Sequence, residues 1–163
     1  MDYLWSPWRY SYVSTASAET AGGDACLFCR VAKDSHDAAN LLVLRAERSF
    51  VILNRYPYSS GHLMIAPYAH VSTLEGTETA TLEEMMQLAQ RAEKALRAIY
   101  RPDGMNLGFN IGQSAGAGIA GHIHMHALPR WAGDTSFMTT VGETRVLPEA
   151  LETTYEKLSR ALR

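Results

Sequence analysis

Residues 121–129 read Gly-His-Ile-His-Met-His-Ala-Leu-Pro, so that His122, His124 and His126 occupy every second position of this stretch. In a β-strand, side chains two residues apart point to the same face. The pattern therefore predicts a strand that directs its three histidines to one face and the apolar residues between them to a core. Imidazole is a metal ligand, a general base and a nucleophile near neutral pH. We therefore interpret the stretch as a functional site rather than an incidental histidine cluster.

The bulk composition is that of a folded protein without a strongly charged partner. Hydrophobic residues make up 47% and charged residues 20% of the 163 residues, which suits a single domain over residues 1–163. The net charge of −2 provides no global basic field for nucleic acid, so we expect no nucleic-acid partner. The sequence shows no secretory signal and no long apolar run. We expect a cytoplasmic protein without membrane contact.

Short apolar runs alternate with turn residues in the first half of the chain, and two longer amphipathic segments follow. The runs predict strands, which span Leu41–Arg45, Phe50–Asn54, His62–Pro67, Met105–Gly112, the histidine stretch and Thr135–Val141. Helices are predicted at Asp24–Lys33, from the capping patterns at Ser72 and Thr81, and at Leu147–Arg163. The connections between the early strands are too short for parallel crossovers. The fold class is therefore α+β with an antiparallel sheet.

The histidine motif, with an apolar residue between successive histidines, resembles the signature of the histidine-triad nucleotide-binding family. The similarity extends to residues 54–67, to Asn110-Ile111-Gly112, to the glycine-rich loop and to Pro129-Arg130-Trp131. The opening residues 4–9 and the carboxyl-terminal extension resemble the branch that includes dinucleoside-tetraphosphate phosphorylases. The resemblance implies an antiparallel sheet of about five strands with a long helix on one side, and a homodimer. We expect the helix from Thr81 and the strand from Met105 to form the dimer interface, with Trp5 and Trp8 adding to it.

The middle histidine of the triad has a neighbour on each side and is the best candidate nucleophile. A neutral imidazole nitrogen can attack phosphorus, and a second acceptor can then clear the resulting phosphoramidate. We predict that His124 attacks, with its other ring nitrogen bonded to a backbone carbonyl, and that His126 holds a phosphate oxygen. These roles match those that the resemblance implies, and the resemblance adds His62 as a partner near the triad.

The glycine-rich residues 112–121 precede the triad and suit a close approach of backbone amides to phosphates. The commonest family pattern has Gly-Gln-Ser or Gly-Gln-Thr here, whereas this chain has Gly118-Ile119-Ala120. We therefore expect the amides of Gly118 and Ile119 to replace a hydroxyl contact to phosphate.

Two asparagines are candidate nucleotide ligands. Asn54 resembles the family position that binds the ribose hydroxyls, although a turn residue at a strand end is the alternative. Asn110 is a candidate for phosphate or ribose, or a mid-strand amide that only satisfies the backbone. Leu27, Phe28 and Ile52 are expected to form an apolar slot for the base.

Cys26 and Cys29 are the only cysteines and form a Cys-x-x-Cys motif. In a reducing compartment this spacing indicates half of a tetrahedral zinc site, or a redox dithiol. The resemblance to zinc-containing members of the family supplies His70 and His122 as the remaining two ligands. The predicted cofactor is a structural zinc ion.

The leading hypothesis is a nucleotide-binding hydrolase or transferase that cleaves a phosphoanhydride at the α-phosphate through a nucleotidyl-histidine intermediate. Its partner would be an adenine-type nucleotide or a dinucleoside polyphosphate such as diadenosine tetraphosphate. A phosphorylase that uses inorganic phosphate is the alternative within the same class. A nucleotide-binding regulatory module with little turnover and a zinc-stabilised interaction protein are the alternatives from other classes.

Overall fold

The computed structural model describes residues 26–135, 139 and 147–162. Their centre is a five-stranded antiparallel sheet in the order β1-β2-β3-β5-β4. The strands are β1 (Leu42–Arg45), β2 (Ser49–Leu53), β3 (Leu63–Pro67), β4 (Gly104–Phe109) and β5 (Met125–Arg130). The helices are α1 (Leu27–Lys33), α2 (Asp37–Asn40), α3 (Thr79–Tyr100) and α4 (Leu151–Leu162). The predicted α+β class, with about five strands and a long helix on one side, is confirmed.

The sheet separates two apolar layers because successive side chains of a strand point to opposite faces. One face packs against α3 and α4 and includes Met125 and Ala127 of β5. The other face packs against α1, and Phe28 and Ile52 are buried there. His126 pairs with Met64, which faces the α1 layer. The predicted alternation of apolar and histidine positions therefore holds within β5.

The turn before β3 brings the chain close to the long helix. Gly61 has φ +82°, and a Cβ atom at this position would lie 2.8 Å from Cδ2 of Leu96 and 3.0 Å from Cε2 of Tyr100. Only glycine combines this left-handed conformation with such a close approach. The turn therefore sets β3, and the His62 that precedes it, tightly against α3.

The histidine strand is shorter than predicted, because β5 begins at Met125 and leaves His122 and His124 in the segment before it. β3 ends at Pro67, which would face Ile123 if the ladder continued. Proline has no N–H to donate to a ladder. The amide of Ile123 instead donates to the carbonyl of Val71, 2.6 Å away.

The two capping patterns were misinterpreted. The predicted short helix from Ser72 is a turn, in which the Thr73 hydroxyl accepts from the Gly76 amide at 3.1 Å and the Thr77 hydroxyl donates to the Thr73 carbonyl at 2.7 Å. Such local bonds compete with helix formation. The long helix begins at Thr79 rather than Thr81. Glu84 does not cap it, since its carboxylate accepts the amides of Glu47 and Arg48 at 3.1 and 2.9 Å.

The other element boundaries differ from prediction mainly at the ends. The fourth strand ends at Phe109 instead of Gly112, and the terminal helix spans Leu151–Leu162 instead of residues 147–163. Most of the predicted strand over Thr135–Val141 lies outside the described residues. Trp5 and Trp8 also lie outside them. Among the helices of the described ranges, none combines the length and the apolar character that crossing a membrane requires.

Candidate active site and metal centre

Four predicted metal ligands meet at one end of α1. Cys26 and Cys29 belong to this helix and its approach, His70 follows β3 and His122 precedes β5, and one ligand atom of each lies within 4.8 Å of the others. Sγ of Cys26 lies 3.4 Å from Nδ1 of His122, and Sγ of Cys29 lies 3.3 Å from Nδ1 of His70. In a tetrahedral zinc site, sulfur and nitrogen ligands are about 3.5 Å apart. The four side chains therefore fit a metal ion, and their predicted grouping is confirmed.

The orientation of His122 suits a ligand. Its Nε2–H donates to the carbonyl oxygen of Pro67 at 2.9 Å, which leaves the lone pair of Nδ1 directed at the two sulfur atoms. Burial lowers the pKa of His122 to about 4. The ring is therefore neutral at pH 7, and the neutral imidazole is the form that binds a metal.

His124 presents the opposite nitrogen. Its Nδ1–H donates to the backbone carbonyl of His122 at 2.9 Å, so the lone pair of the ring is on Nε2. The side chain is buried against Phe28, with the two ring centroids 4.9 Å apart. Burial lowers the pKa of His124 to about 4, which keeps the ring neutral at pH 7. This arrangement leaves one unprotonated ring nitrogen, as attack on phosphorus would require, and the predicted backbone bond is present.

His126 belongs to a hydrogen-bonded chain that determines its tautomer. The backbone N–H of Tyr58 donates to Nδ1 of His62 at 3.2 Å, so His62 carries its proton on Nε2. That nitrogen lies 2.9 Å from Nδ1 of His126 and donates to it. His126 is then left with an N–H on Nε2, a donor suited to a phosphate oxygen. Burial lowers the pKa of His126, so this neutral form persists at pH 7.

His62 itself is fully buried. It lies behind His126, where it contacts that ring and not the cavity. It can therefore influence a ligand in the cavity only through the residues it contacts there, such as His126 and Asn54, as a positioning residue.

A cavity of about 440 Å³ opens beside the two catalytic candidates. It contains most of the predicted nucleotide contacts: Leu27, Phe28, Ile52, Asn54, Gly118, Ile119, His124 and His126. The apolar residues lie on α1 and β2 and form the predicted slot, whereas the histidines lie at the β5 side. The cavity therefore combines apolar walls with a few polar groups, as ligand pockets commonly do.

The two asparagines are placed differently. Asn54 lines the cavity, where its Oδ1 accepts the amide of Tyr56 at 2.9 Å and its Nδ2 donates to Nδ1 of His62 at 3.3 Å. Asn110 follows β4, is partly buried, and is not among the residues that line this cavity.

Sequence reasoning missed several residues of the cavity wall. They are Arg30, Val31, Asn40, Leu41, Leu53, Arg55, Tyr56, Tyr58 and Met64. Val31 lies one helical turn beyond Leu27 and Phe28, so the helical period could have identified it. Asn40 and Tyr58 carry no comparable signal, because only the packing of distant segments brings them to the cavity.

A family model described as the HIT domain matches residues 36–133. The chain belongs to the HIT domain family. An AP-4-A phosphorylase of Mycobacterium tuberculosis is 37% identical over 160 residues, which cover 96% of this chain and 82% of that protein. The predictions of the family, and of a nucleotide-processing enzyme within it, agree with these findings.

Solved structures of HIT proteins superpose on the chain. A Zn-bound histidine triad family protein from Mycobacterium smegmatis has a TM-score of 0.69 and 31% identity, and the match covers 86% of this chain and 95% of that one. A hypothetical histidine triad nucleotide-binding protein from Sulfolobus tokodaii has a TM-score of 0.68 and 26% identity, covering 84% and 91% of the two chains. The HIT fold of this chain is thus supported by sequence and by structure.

Proposed function

We propose that this HIT protein transfers a nucleotidyl group from a dinucleoside polyphosphate, such as diadenosine tetraphosphate, to a small acceptor through a covalent bond to His124. The observation that carries the proposal is the neutral Nε2 lone pair of His124, which lies in a cavity that also contains the apolar slot. The similarity to an AP-4-A phosphorylase supports the same class of substrate.

In the first step, Nε2 of His124 attacks the α-phosphorus, a P–N bond forms, and the P–O bond to the remaining polyphosphate breaks. The departing nucleoside polyphosphate leaves as an anion with the electron pair of that bond. The Nε2–H of His126 donates to a phosphate oxygen and stabilises the charge that develops there. In the second step an acceptor oxygen attacks phosphorus, the P–N bond breaks, and His124 is regenerated.

The acceptor decides between two reactions. Water would release AMP and ATP from diadenosine tetraphosphate, whereas inorganic phosphate would release ADP and ATP. The name of the relative that is 37% identical over 96% of this chain favours inorganic phosphate. Chromatography of the products, with and without added phosphate, tests this choice. ADP that forms only with phosphate supports phosphorolysis, and AMP under both conditions supports hydrolysis.

The same assay separates the proposal from the regulatory-module hypothesis. A module with little turnover would bind the nucleotide and leave diadenosine tetraphosphate intact. A protein that serves only as a zinc-stabilised interaction partner would not bind the nucleotide at all.

We assign the remaining nucleotide contacts by their positions. The slot of Leu27, Phe28 and Ile52 would hold the base, and the amides of Gly118 and Ile119 would approach the phosphates. Asn54 would bind the ribose, because its amide still has one N–H and one oxygen lone pair beyond the bonds it makes within the protein. Asn110 does not line this cavity, so any effect of Asn110 on the ligand would be indirect.

Zinc is the metal that best suits two thiolates and two imidazoles at these separations. Cys26, Cys29, His70 and His122 would bind it in a closed site that ties α1 to the sheet. The ion would supply structural cross-linking and no open position for a substrate. Metal analysis of protein purified without chelator should find about one zinc ion per chain.

We also propose a single-domain cytoplasmic homodimer. β4 is an edge strand, and Leu107 on it is 43% exposed, while Met86 on α3 is 58% exposed. The edge of the sheet formed by the described residues, together with exposed apolar side chains, favours a partner surface. Light scattering at micromolar concentration should give the mass of two chains, and the mass of one chain would contradict the dimer.

A further inference from the structure

The nucleotide cavity crosses most of the width of the sheet. His126 lies on β5, and Asn40 and Leu41 lie beside β1 at the opposite end. The strand order β1-β2-β3-β5 separates these two ends by three strand spacings, about 14 Å. A nucleotide with its α-phosphate at His124 could extend its base along the cavity toward the end where Asn40 lies.

The side-chain amide of Asn40 is held in one orientation. Its Nδ2 donates to Oδ2 of Asp34 at 2.9 Å and to the backbone carbonyl of His36 at 3.1 Å. Both partners are acceptors, so the nitrogen and not the oxygen must face them. The carbonyl oxygen Oδ1 is therefore the group of this amide that a ligand in the cavity can use.

Asp34 makes this orientation firm. The hydrogen bond from Asn40, together with bonds from His36, holds the pKa of the Asp34 carboxyl well below its usual range. The carboxylate is therefore ionised at neutral pH and remains an acceptor for the amide. A reversed Asn40 amide would place two oxygen atoms against each other.

We propose that Asn40 selects the base, with Oδ1 accepting a hydrogen bond from the exocyclic amine at position 6 of adenine. This inference rests on the proposed function, because it requires a nucleotide in the slot. Adenine presents an amine at position 6, whereas guanine presents a carbonyl oxygen there. A guanine carbonyl would face the Asn40 carbonyl and leave both acceptors unpaired, which is how binding sites reject close analogues. Since Asn40 is partly exposed, the expected preference for adenine is on the order of tenfold.

Two arginines oppose this assignment. Arg30 and Arg55 also line the cavity and are exposed, and a guanidinium would donate to the guanine carbonyl. Arg55 is drawn toward α2, because its Nη2 donates to the carbonyl of Ala39 at 3.5 Å. If these side chains read the base, their removal and not that of Asn40 would change base preference.

Calorimetric titration with AMP and with GMP tests the proposal on the full-length protein and on Asn40→Leu, which keeps a similar volume and removes the acceptor. The wild type should bind AMP about tenfold more tightly than GMP, and Asn40→Leu should reduce this ratio to within about twofold, chiefly through weaker AMP binding. Arg30→Gln and Arg55→Gln are the matched controls and should leave the ratio unchanged. Asn40→Ser, whose hydroxyl both donates and accepts, should also lose the preference and replaces Asn40→Leu if that variant does not fold.

The outcomes separate the two levels of inference. A ratio that survives in Asn40→Leu and Asn40→Ser, or one that changes in an arginine variant instead, overturns the role of Asn40. Equal binding of AMP and GMP to the wild type overturns it as well and leaves the proposed function standing. Failure of the wild type to bind either nucleotide refutes the proposed function itself.

Discussion

His122 and His124 are two residues apart, and each uses a different ring nitrogen for its hydrogen bond to the backbone. His122 donates from Nε2 to the Pro67 carbonyl and turns Nδ1 toward two thiols. His124 donates from Nδ1 to the carbonyl of His122 and keeps the lone pair of Nε2 beside the cavity. Both rings are buried, and the pKa of each is lowered to about 4 by that burial. The comparison shows that the hydrogen bond on the second ring nitrogen, and not burial, determines where each lone pair points: toward the two sulfur atoms in His122 and beside the cavity in His124.

The largest effect on turnover should come from substituting His124, and a substitution of His122 serves as the comparison. His124→Ala should lower turnover of diadenosine tetraphosphate by at least about a thousandfold, because the attacking nitrogen is lost. Its zinc content should be unchanged. The matched variant His122→Cys replaces one zinc ligand by another and should keep the metal and most of the turnover. Near-wild-type turnover in His124→Ala would refute the covalent mechanism.

Substitution of a predicted metal ligand should reduce the stability of the fold more than it reduces the catalytic rate. Cys29→Ser should lose the metal and reduce the free energy of unfolding by several kcal/mol, about 3 or more, because metal binding contributes directly to folding. Metal analysis and urea denaturation measure both effects. Wild-type protein treated with a chelator is the control, since added zinc should restore its stability but not that of the variant. A Cys29→Ser protein as stable as the metal-loaded wild type would show that the cluster is not a structural metal site.

A smaller effect should follow from breaking the chain behind His126. His62→Leu removes the donor to Nδ1 of His126 and should lower kcat about 10- to 100-fold with little change in KM. His62→Gln can keep an N–H near the same place and should retain more activity. Nitrogen NMR of the His126 ring provides a readout that packing alone would not change. Its proton should lie on Nε2 in the wild type and move in His62→Leu.

The smallest effect concerns pH. An imidazole in water has a pKa of about 6.5, so its neutral fraction falls about fourfold between pH 7.5 and 6. Because burial lowers the pKa of His124 to about 4, its neutral fraction hardly changes over this range. The kcat should therefore vary less than about twofold between these pH values. Zinc content at each pH is the control, and a fourfold fall with full metal loading would contradict a buried neutral nucleophile.

The lowered pKa of His124 should also make the free energy of unfolding depend on pH, but at more acidic pH than the range of the kcat experiment. The unfolded chain binds a proton at His124 below about pH 6.5, whereas the folded chain does so only near pH 4. Acid therefore favours the unfolded state between these values. The stability that the neutral ring contributes is complete above about pH 6.5 and is lost as the pH falls toward 4. Urea denaturation of the wild type and of His124→Ala should diverge less at pH 5 than at pH 7.5.

Much of the site could be predicted from local pattern and resemblance. The spacing of His122, His124 and His126 indicated a shared functional stretch, and the Cys-x-x-Cys motif indicated half of a metal site. Both patterns consist of residues that are close in sequence, and such residues remain close together in any fold. The five strands and the long helix were also recognisable, because apolar periodicity reflects which side of an element is buried. The capping patterns at Ser72 and Thr81 predicted the wrong helix starts, because Thr73 and Glu84 form hydrogen bonds with other partners.

Sequence alone thus determined the fold class, the family and the residues with reactive side chains. Tertiary structure alone decided which nitrogen His122 and His126 present, because Pro67, Tyr58 and His62 reach these rings only through the packing of separate segments. It also placed Asn40 at the far end of the cavity, across three strand spacings from His126. Tautomers and ligand contacts depend on distances between segments remote in sequence. Those distances are set by sheet order and side-chain packing, for which a linear pattern carries no direct signal.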